Sequence, residues 1–502
     1  MERITRAIFF WTLVAAFIII TPLVILYANG YKFDFTRGVF VHSGTIFFKS
    51  NPQNITSELN GEMLDSAKIN ISSNAYSISG LIPDTYDLSI SAPDFQTWQK
   101  KIDVHSGLAS EFWNVLLVRN EYRKTDYATL GIEKFFISPK GTYIIYTQKT
   151  ENGLAANILN IEDKQIEKTF NFADWEFIPE ERMENIEWSP EEDYISVPVR
   201  KIIKQSILTQ DPEEQSSPYT YFIIDPAKGT SFNLNGLLKN NNLSYVRWDP
   251  KDKDYLFYLS DETLYRANIN DVSDITEIAK DVSSFDLSQT NVYYSQMPNE
   301  IVYKTDLDGQ GTVKQITSDF PEDITKNFRL IAYDDARIAF LTENKNLYIF
   351  NAGEMDSYFR KLGENIEGIQ FSDDGKKLLY WTKNDISTYY LRNWNVQPNR
   401  FENSIEEITR YSDQIKNVQW FKDYEHIIFS VGPQMKIIEL DPRDHRNCMD
   451  LLKTASSTPL AGYNHAQERL YFVDTKDSSS SLYSIIFPEP TPILGIYTPS
   501  QE

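Results

Sequence analysis

An all-β protein behind one N-terminal apolar helix is the architecture this sequence predicts, and three observations predict it. Residues 7–27 form a run of 21 residues without a charge. Tyr and Phe number 30 each among 502 residues, and their flat rings pack well on pleated strands. From about residue 124 onward one two-strand pattern recurs eight times.

The apolar run comes first. At ~1.5 Å per residue it reaches across a ~30 Å hydrocarbon core. Pro22 is tolerable in a membrane helix. The alternative is a cleaved signal peptide, with Ala28-Asn29-Gly30 as the small-residue site. The run is longer than the roughly 7–15 apolar residues of such peptides, so an uncleaved signal anchor is expected. Arg3 and Arg6 precede it, while Lys32 and Arg37 follow, so the charge bias is slight. Long domains translocate largely regardless of charge. The expected topology is therefore a short cytoplasmic tail at 1–6, a single crossing at 7–28 and an extracytoplasmic bulk.

The net charge of −22 excludes nucleic acid as a partner, and it opposes lying flat on anionic lipid. Cys448 is the sole cysteine, so no intramolecular disulfide forms and packing must hold the fold.

After a linker at 29–41, residues 42–120 read as a small β-sandwich. Residues 45–49 are strand-like, and Asn51-Pro52 stops them. Asn60-Gly61 is a hairpin turn, because Asn-Gly accepts the positive φ values of type I′. Pro83-Asp84-Thr85-Tyr86 turns into a strand at 87–90, which Phe95, Trp98 and Ile102 continue. Residues 113–118 form the last strand, and Trp98 and Trp113 are expected in the core. The series Ser50-Asn51-Pro52, Asn60-Gly61, Pro83-Asp84-Thr85-Tyr86 and Asp94-Phe95 with Trp98 resembles the PEGA domain of bacterial surface proteins. Asp84 departs from the Gly or Glu usual there. The resemblance implies an envelope interaction module without catalytic residues.

Residues 121–490 carry the repeat, and 491–502 form a tail. Its clearest copies are Phe136-Ile137-Ser138-Pro139, Glu187-Trp188-Ser189-Pro190, Arg247-Trp248-Asp249-Pro250 and Gln370-Phe371-Ser372-Asp373. Weaker copies surround Phe285, Ile331, Trp420 and Tyr463. Nine residues after each anchor stands a second apolar residue: Tyr146, Val197, Phe257, Tyr294, Phe340, Tyr380, Phe429 and Phe472. The fixed offset predicts one hairpin of fixed geometry. A lone four-stranded blade cannot bury both faces, so blades stack around an axis. Eight copies predict an eight-bladed β-propeller, with seven as the alternative. The last copy lacks a fourth strand, and residues 122–129 are placed to supply it. The Trp-Ser-Pro and Phe-Ser-Asp-Asp-Gly elements, with residues 303–310, resemble TolB-like and WD40-like propeller repeats.

There is no GxSxG elbow, HExxH helix or GxxxxGK phosphate loop. Asp441, Asp444, His445, Cys448 and Asp450 are the one cluster of ligand-type residues, and an outer loop is the simpler reading. Asp306-Leu307-Asp308-Gly309 has no distal Glu at calcium-loop spacing, which favours a tight turn. Asp334-Asp335 and Asp373-Asp374 read as solvated turn acids. The stretches 201–218 and 394–408 are long loops able to carry function.

No catalytic, metal or cofactor residue is therefore assigned, and no cofactor is expected. The expected function is a non-enzymatic, membrane-anchored envelope scaffold binding protein, peptide or glycan. An enzyme using the propeller channel and a purely structural surface spacer are the alternatives.

Overall fold

The computed structural model describes residues 3–64, 68–70, 75–127, 129–178, 184–202, 219–318, 320–321, 327–476 and 479–488. The helix Arg3–Ala28 holds the apolar run. Its segment Ile4–Ala28 has a mean hydropathy of 2.6, with no buried residue in its apolar window among the described residues, and is long and apolar enough to cross a bilayer. Asn29 ends it, with its backbone and side-chain amides both donating to the Ile25 carbonyl.

Residues 29–41 are not a plain linker. Tyr31–Asp34 and Val39–His42 pair as an antiparallel hairpin. The Asp34 carboxylate accepts the backbone amides of Thr36 and Arg37, which fixes the turn. Val–Phe–Val in this stretch was a legible strand signal.

Two four-stranded sheets follow, packed as a sandwich. One orders Ala109–Leu116, Gly44–Asn51, Ala75–Leu81 and Lys68–Asn70; the other orders Glu62–Met63, Thr56–Leu59, Thr85–Ser91 and Trp98–Asp103. Ile46, Phe48, Leu88, Ile90, Trp98 and Ile102 fill the space between them. Asn60 (φ 53°) and Gly61 (φ 79°) make the expected turn. Three expectations change. Phe95, Trp98 and Ile102 do not prolong the preceding strand, because the chain turns at Asp94 (φ 68°) and returns antiparallel. The last strand starts earlier, at Ala109, and runs parallel to Gly44–Asn51. Trp113 is only half-buried, its indole N–H donating to Glu111.

Eight sheets then stack around an axis. Seven are sequential, at 134–173, 175–233, 244–279, 282–315, 328–363, 368–410 and 415–453, and are called blades 1–7. Blade 2 has five strands, because Trp175–Phe177 and Glu187–Trp188 both pair with Ile195–Lys201. Blade 8 takes three strands from Ala461–Asn464, Arg469–Lys476 and Ser479–Ile486, and its fourth, Thr125–Asp126, from before blade 1. The paired segment is shorter than the expected 122–129. Side chains extend the closure: Tyr127 is buried beside Tyr471, and the Tyr127 hydroxyl meets Ser484 at 3.1 Å.

The nine-residue offset conceals three hairpin registers. Trp188 pairs with Ile195, seven residues on, as do the anchors of blades 1, 6, 7 and 8 with their own partners. Trp248 pairs with Leu256 and Ile331 with Ala339, eight residues on, while Phe285 pairs with Tyr294, nine on. The second strand of each blade is buried on both faces and mostly apolar around the offset, so the register is masked. In blade 5 the slip moves the anchor. Leu330, not Ile331, packs toward the preceding blade, and Ile331 packs toward the following one.

Trp188, Trp248 and Trp420 are buried on the first strands of their blades, against the preceding blade; Phe371 is half-buried in the same place. The Trp248 indole donates to the Glu187 carbonyl at 3.1 Å, and the Trp420 indole donates to the Gln370 carbonyl at 3.1 Å. The two contacts are equivalent, one repeat geometry seen twice. Truncating Trp420 to Ala removes a fully buried ring and orphans that carbonyl, and should cost about 3–5 kcal/mol in chemical denaturation.

Candidate functional site

Within each blade the strands alternate in direction, so the loops after strands one and three lie on one face of the ring. The first strands line the axis, and each is an edge of its sheet. Edge amides need acceptors, and side chains of the preceding blade supply them. Ser284 accepts from the Leu330 amide at 2.9 Å and Asp286 from Ala332 at 2.9 Å. Gln370 accepts from Trp420 at 2.9 Å, and Gln419 from Tyr463 at 2.7 Å.

The charged half of the channel grows from the same device. Glu187, Arg247, Asp286 and Arg329 come from the first strands of blades 2 to 5. Arg247 binds Glu187 at 3.0 Å and Asp286 at 2.8 Å. It is deep in the protein, yet its side chain is 34% exposed, the combination a channel lining produces. The Glu187 charge raises the Arg247 pKa against the effect of burial, and Asp286 adds to the rise. Burial, followed by repulsion from Arg247, lowers that of Arg329. Titratable groups do converge here. Both carboxylates are engaged by one guanidinium and by backbone amides, which suits fixed charge and hydrogen bonding better than proton transfer.

The second constellation joins the sandwich to the loops of blades 6 and 7. Lys100 is fully buried. Its ammonium contacts Glu439 at 2.8 Å and donates to the carbonyls of Asp441 (3.1 Å), Arg443 (2.8 Å) and His445. The Trp98 indole donates to the other Glu439 oxygen at 2.9 Å. The Arg443 guanidinium lies 3.8 Å over the Phe112 ring and donates to the Glu111 carbonyl at 2.7 Å. Gln397 accepts from the Glu111 amide and donates to the Ala109 carbonyl, each at 3.0 Å. Phe421, Met435, Met449, Leu451 and Phe487 share one apolar core with the sandwich.

The ligand-type cluster at 441–450 is thus a docking loop, 441–447, and the start of the strand Cys448–Lys453. Its His445 pairs with Asp444 at 2.8 Å, while Cys448 lies 3.6 Å from the Tyr411 hydroxyl. Among the described residues no three His, Cys, Asp or Glu converge as metal ligands. The stretch 394–408 docks the sandwich through Gln397, and Arg400 braces it against Glu406 at 3.2 Å and Glu425 at 3.4 Å. Of the stretch 201–218, residues 203–218 lie outside the described residues. Asp306 and Asp308 cap a tight turn at Gly309 (φ 72°), as expected. Asp335 is not a free solvated acid: it accepts from the Tyr293 hydroxyl at 2.7 Å and pairs with Lys304 at 2.7 Å. The signal missed at sequence level was Lys100 itself, a lysine at an inward position of an alternating strand.

Two histidines beside this face titrate in opposite senses. Burial alone would lower the His426 pKa, but Asp423 at 2.7 Å, Glu439 and Glu425 raise it overall. Its stabilisation is therefore complete below about pH 6.5 and is lost as pH rises through the folded value. Burial lowers the pKa of His465. Its contribution is present above about pH 6.5 and is lost as pH falls through the folded value. In chemical denaturation, His426→Gln should cost more at pH 5 than at pH 8, and His465→Gln more at pH 8 than at pH 5, both pH values marking about the two sides of the imidazole range.

Fold and site together define a β-propeller with a docked β-sandwich behind an apolar helix of membrane-spanning length. No protein-family model matches the chain, and no curated protein matches it. Among solved structures it is similar to a eukaryotic initiation factor, at 14% identity and TM-score 0.43, covering 75% of this chain and 91% of that one. It is similar to Saccharomyces cerevisiae Sqt1 at 9% identity and TM-score 0.42, covering 72% and 98%. It is also similar to the Myceliophteria thermophila Cps50 (Swd1) β-propeller domain at 10% identity and TM-score 0.39, covering 72% and 100%. These likenesses concern the fold alone, and the ring rests on its own strand ladders.

Proposed function

We propose that the chain is a single-pass, membrane-anchored scaffold of the cell envelope, with its sandwich and propeller outside the cytoplasm and no catalytic role of its own. The observation that carries the reading is the docking of the sandwich. Lys100, Trp98 and Arg443 bind it to the blade 7 loop and Gln397 binds it to that of blade 6, so the anchor leads into one rigid platform. A rigid platform presents a partner surface at a set distance from the membrane. The PEGA-like order of the sandwich and the TolB-like repeats fit a surface module of this kind. The channel acids serve the fold through amide acceptance and the Arg247 pair, which supports binding over turnover. The partner is a protein, peptide or glycan met by the propeller.

Site-specific photo-crosslinking in intact cells tests this. A benzophenone side chain replaces Tyr245, 39% exposed at the start of a first strand that lines the axis. A discrete adduct at position 245, absent from a control at Met63, supports the scaffold. Absence of adducts around the ring would favour the spacer. Protease added outside opened envelopes should degrade the platform. Protection until lysis would reverse the topology.

A further inference from the structure

Five apolar side chains at the end of the helix and in the hairpin that follows it are exposed. Phe35 is 88% exposed, Val39 49%, Phe40 42% and Phe33 38%, and Tyr27 at the helix end is 73% exposed. The hairpin holding them is built, not collapsed. Phe33 and Phe40 are directly paired across the strands, with ring centroids 5.1 Å apart. Phe35 stands at 5.1 Å from Phe33, edge to face. Asp34, buried, caps the turn through two amides, and Arg37 pairs with it at 3.5 Å. The turn therefore projects Phe35 outward instead of folding it under.

The base of the hairpin is tied to both neighbours. The Ser43 amide and hydroxyl donate to the Gly30 carbonyl at 2.9 and 2.8 Å, one turn beyond the helix. The Ser106 hydroxyl donates to the His42 carbonyl at 3.2 Å, joining it to the sandwich. Four-residue strands are only ~13 Å long, so the aromatic tip stays near the plane where the helix leaves the hydrocarbon.

We propose that this hairpin lies in the lipid headgroup layer, with Phe33, Phe35 and Phe40 seated at the acyl boundary. The inference rests on the helix spanning the membrane. Phe side chains insert to that depth from interfacial elements, and Arg37, with its side chain 58% exposed at the turn, is free to reach phosphates. The chain's negative charge does not oppose this, since the hairpin carries Lys32 and Arg37 against Asp34 alone. Its role is to fix the tilt of the platform, because one helix by itself leaves rotation and tilt free.

The test uses the full chain with Cys448→Ser, in phosphatidylcholine vesicles containing some phosphatidylglycerol. Single cysteines at Phe35, Phe17 and Met63 carry an environment-sensitive fluorophore. Nitroxide lipids labelled at shallow or deep positions and aqueous iodide serve as quenchers. Position 17 should be quenched by deep nitroxide, position 63 by iodide, and position 35 by shallow nitroxide with blue-shifted emission and loss of iodide quenching. Iodide quenching at 35 with deep quenching at 17 overturns the hairpin and leaves the span. Protection of 35 from both iodide and nitroxide means that protein covers it, a second copy included, and also overturns the proposal. Absence of deep quenching at 17 removes the span, and the proposal with it.

Discussion

Replacing Lys100 with methionine should split the unfolding of the sandwich and propeller into two transitions and cost about 3–5 kcal/mol in the first. The wild-type chain should unfold in one, because sandwich and blades share a core. The lysine side chain is wholly buried, facing Glu439 and three loop carbonyls. Methionine fills a similar volume but leaves the carboxylate without its cation and the carbonyls without a donor. A buried charge stripped of its partner is far more costly than a surface one. Lys101→Met is the control. Its side chain is exposed, and its backbone amide keeps the bond to Asp444 at 2.9 Å. Calorimetry separates the outcomes. An unchanged single transition in the Lys100 variant would mean that the loops hold the sandwich without it.

Replacing residues 122–129 with a glycine-serine segment of equal length should lower the melting temperature and cause self-association. Tyr127 is 2% exposed in the core between blades 8 and 1. Losing a ring so placed costs about 3–5 kcal/mol. Lys124 also pairs with Asp474 at 3.2 Å and lies 5.2 Å from the Phe472 ring centroid. Without the segment, Ser479–Ile486 becomes an open edge, a template for another chain. Sedimentation should then show dimers that the wild type lacks. Equal length keeps the sandwich tether, so the effect reports loss of the closing segment's pairing and packing and not loss of the tether.

The repeat was legible because Trp188, Trp248 and Trp420 are large, buried and followed by polar turns. Closure was legible because three strands leave an edge. Register was not, since a strand buried on both faces has no alternation to read. The parallel strand Ala109–Leu116 was also hidden, as pairing direction leaves no trace in a single strand's pattern. The docking loop was misread for a different reason. Asp441, Asp444 and His445 look like ligands or surface charge until Lys100, more than three hundred residues earlier, is brought against the carbonyls of Asp441, Arg443 and His445. Arg247 and Asp286 share that difficulty, because their pairing depends on the order of blades around the axis.

The most direct measurement of the closed ring is a cross-link between its ends. Asp126 and Tyr483 are opposed across the closing ladder. The flanking Tyr127 amide bonds to the Leu482 carbonyl at 3.1 Å, so the pair at 126 and 483 is the non-hydrogen-bonded kind, with Cα atoms ~4.5 Å apart, within disulfide range. In a Cys448→Ser background, Asp126→Cys with Tyr483→Cys should oxidise to an intramolecular disulfide that shifts gel mobility and raises the melting temperature. Pairing cysteine at 126 instead with cysteine at Ser479, far along the same strand, should give no bond. A disulfide that fails to form at 126–483, or forms equally well at 126–479, would contradict the closed eight-bladed ring.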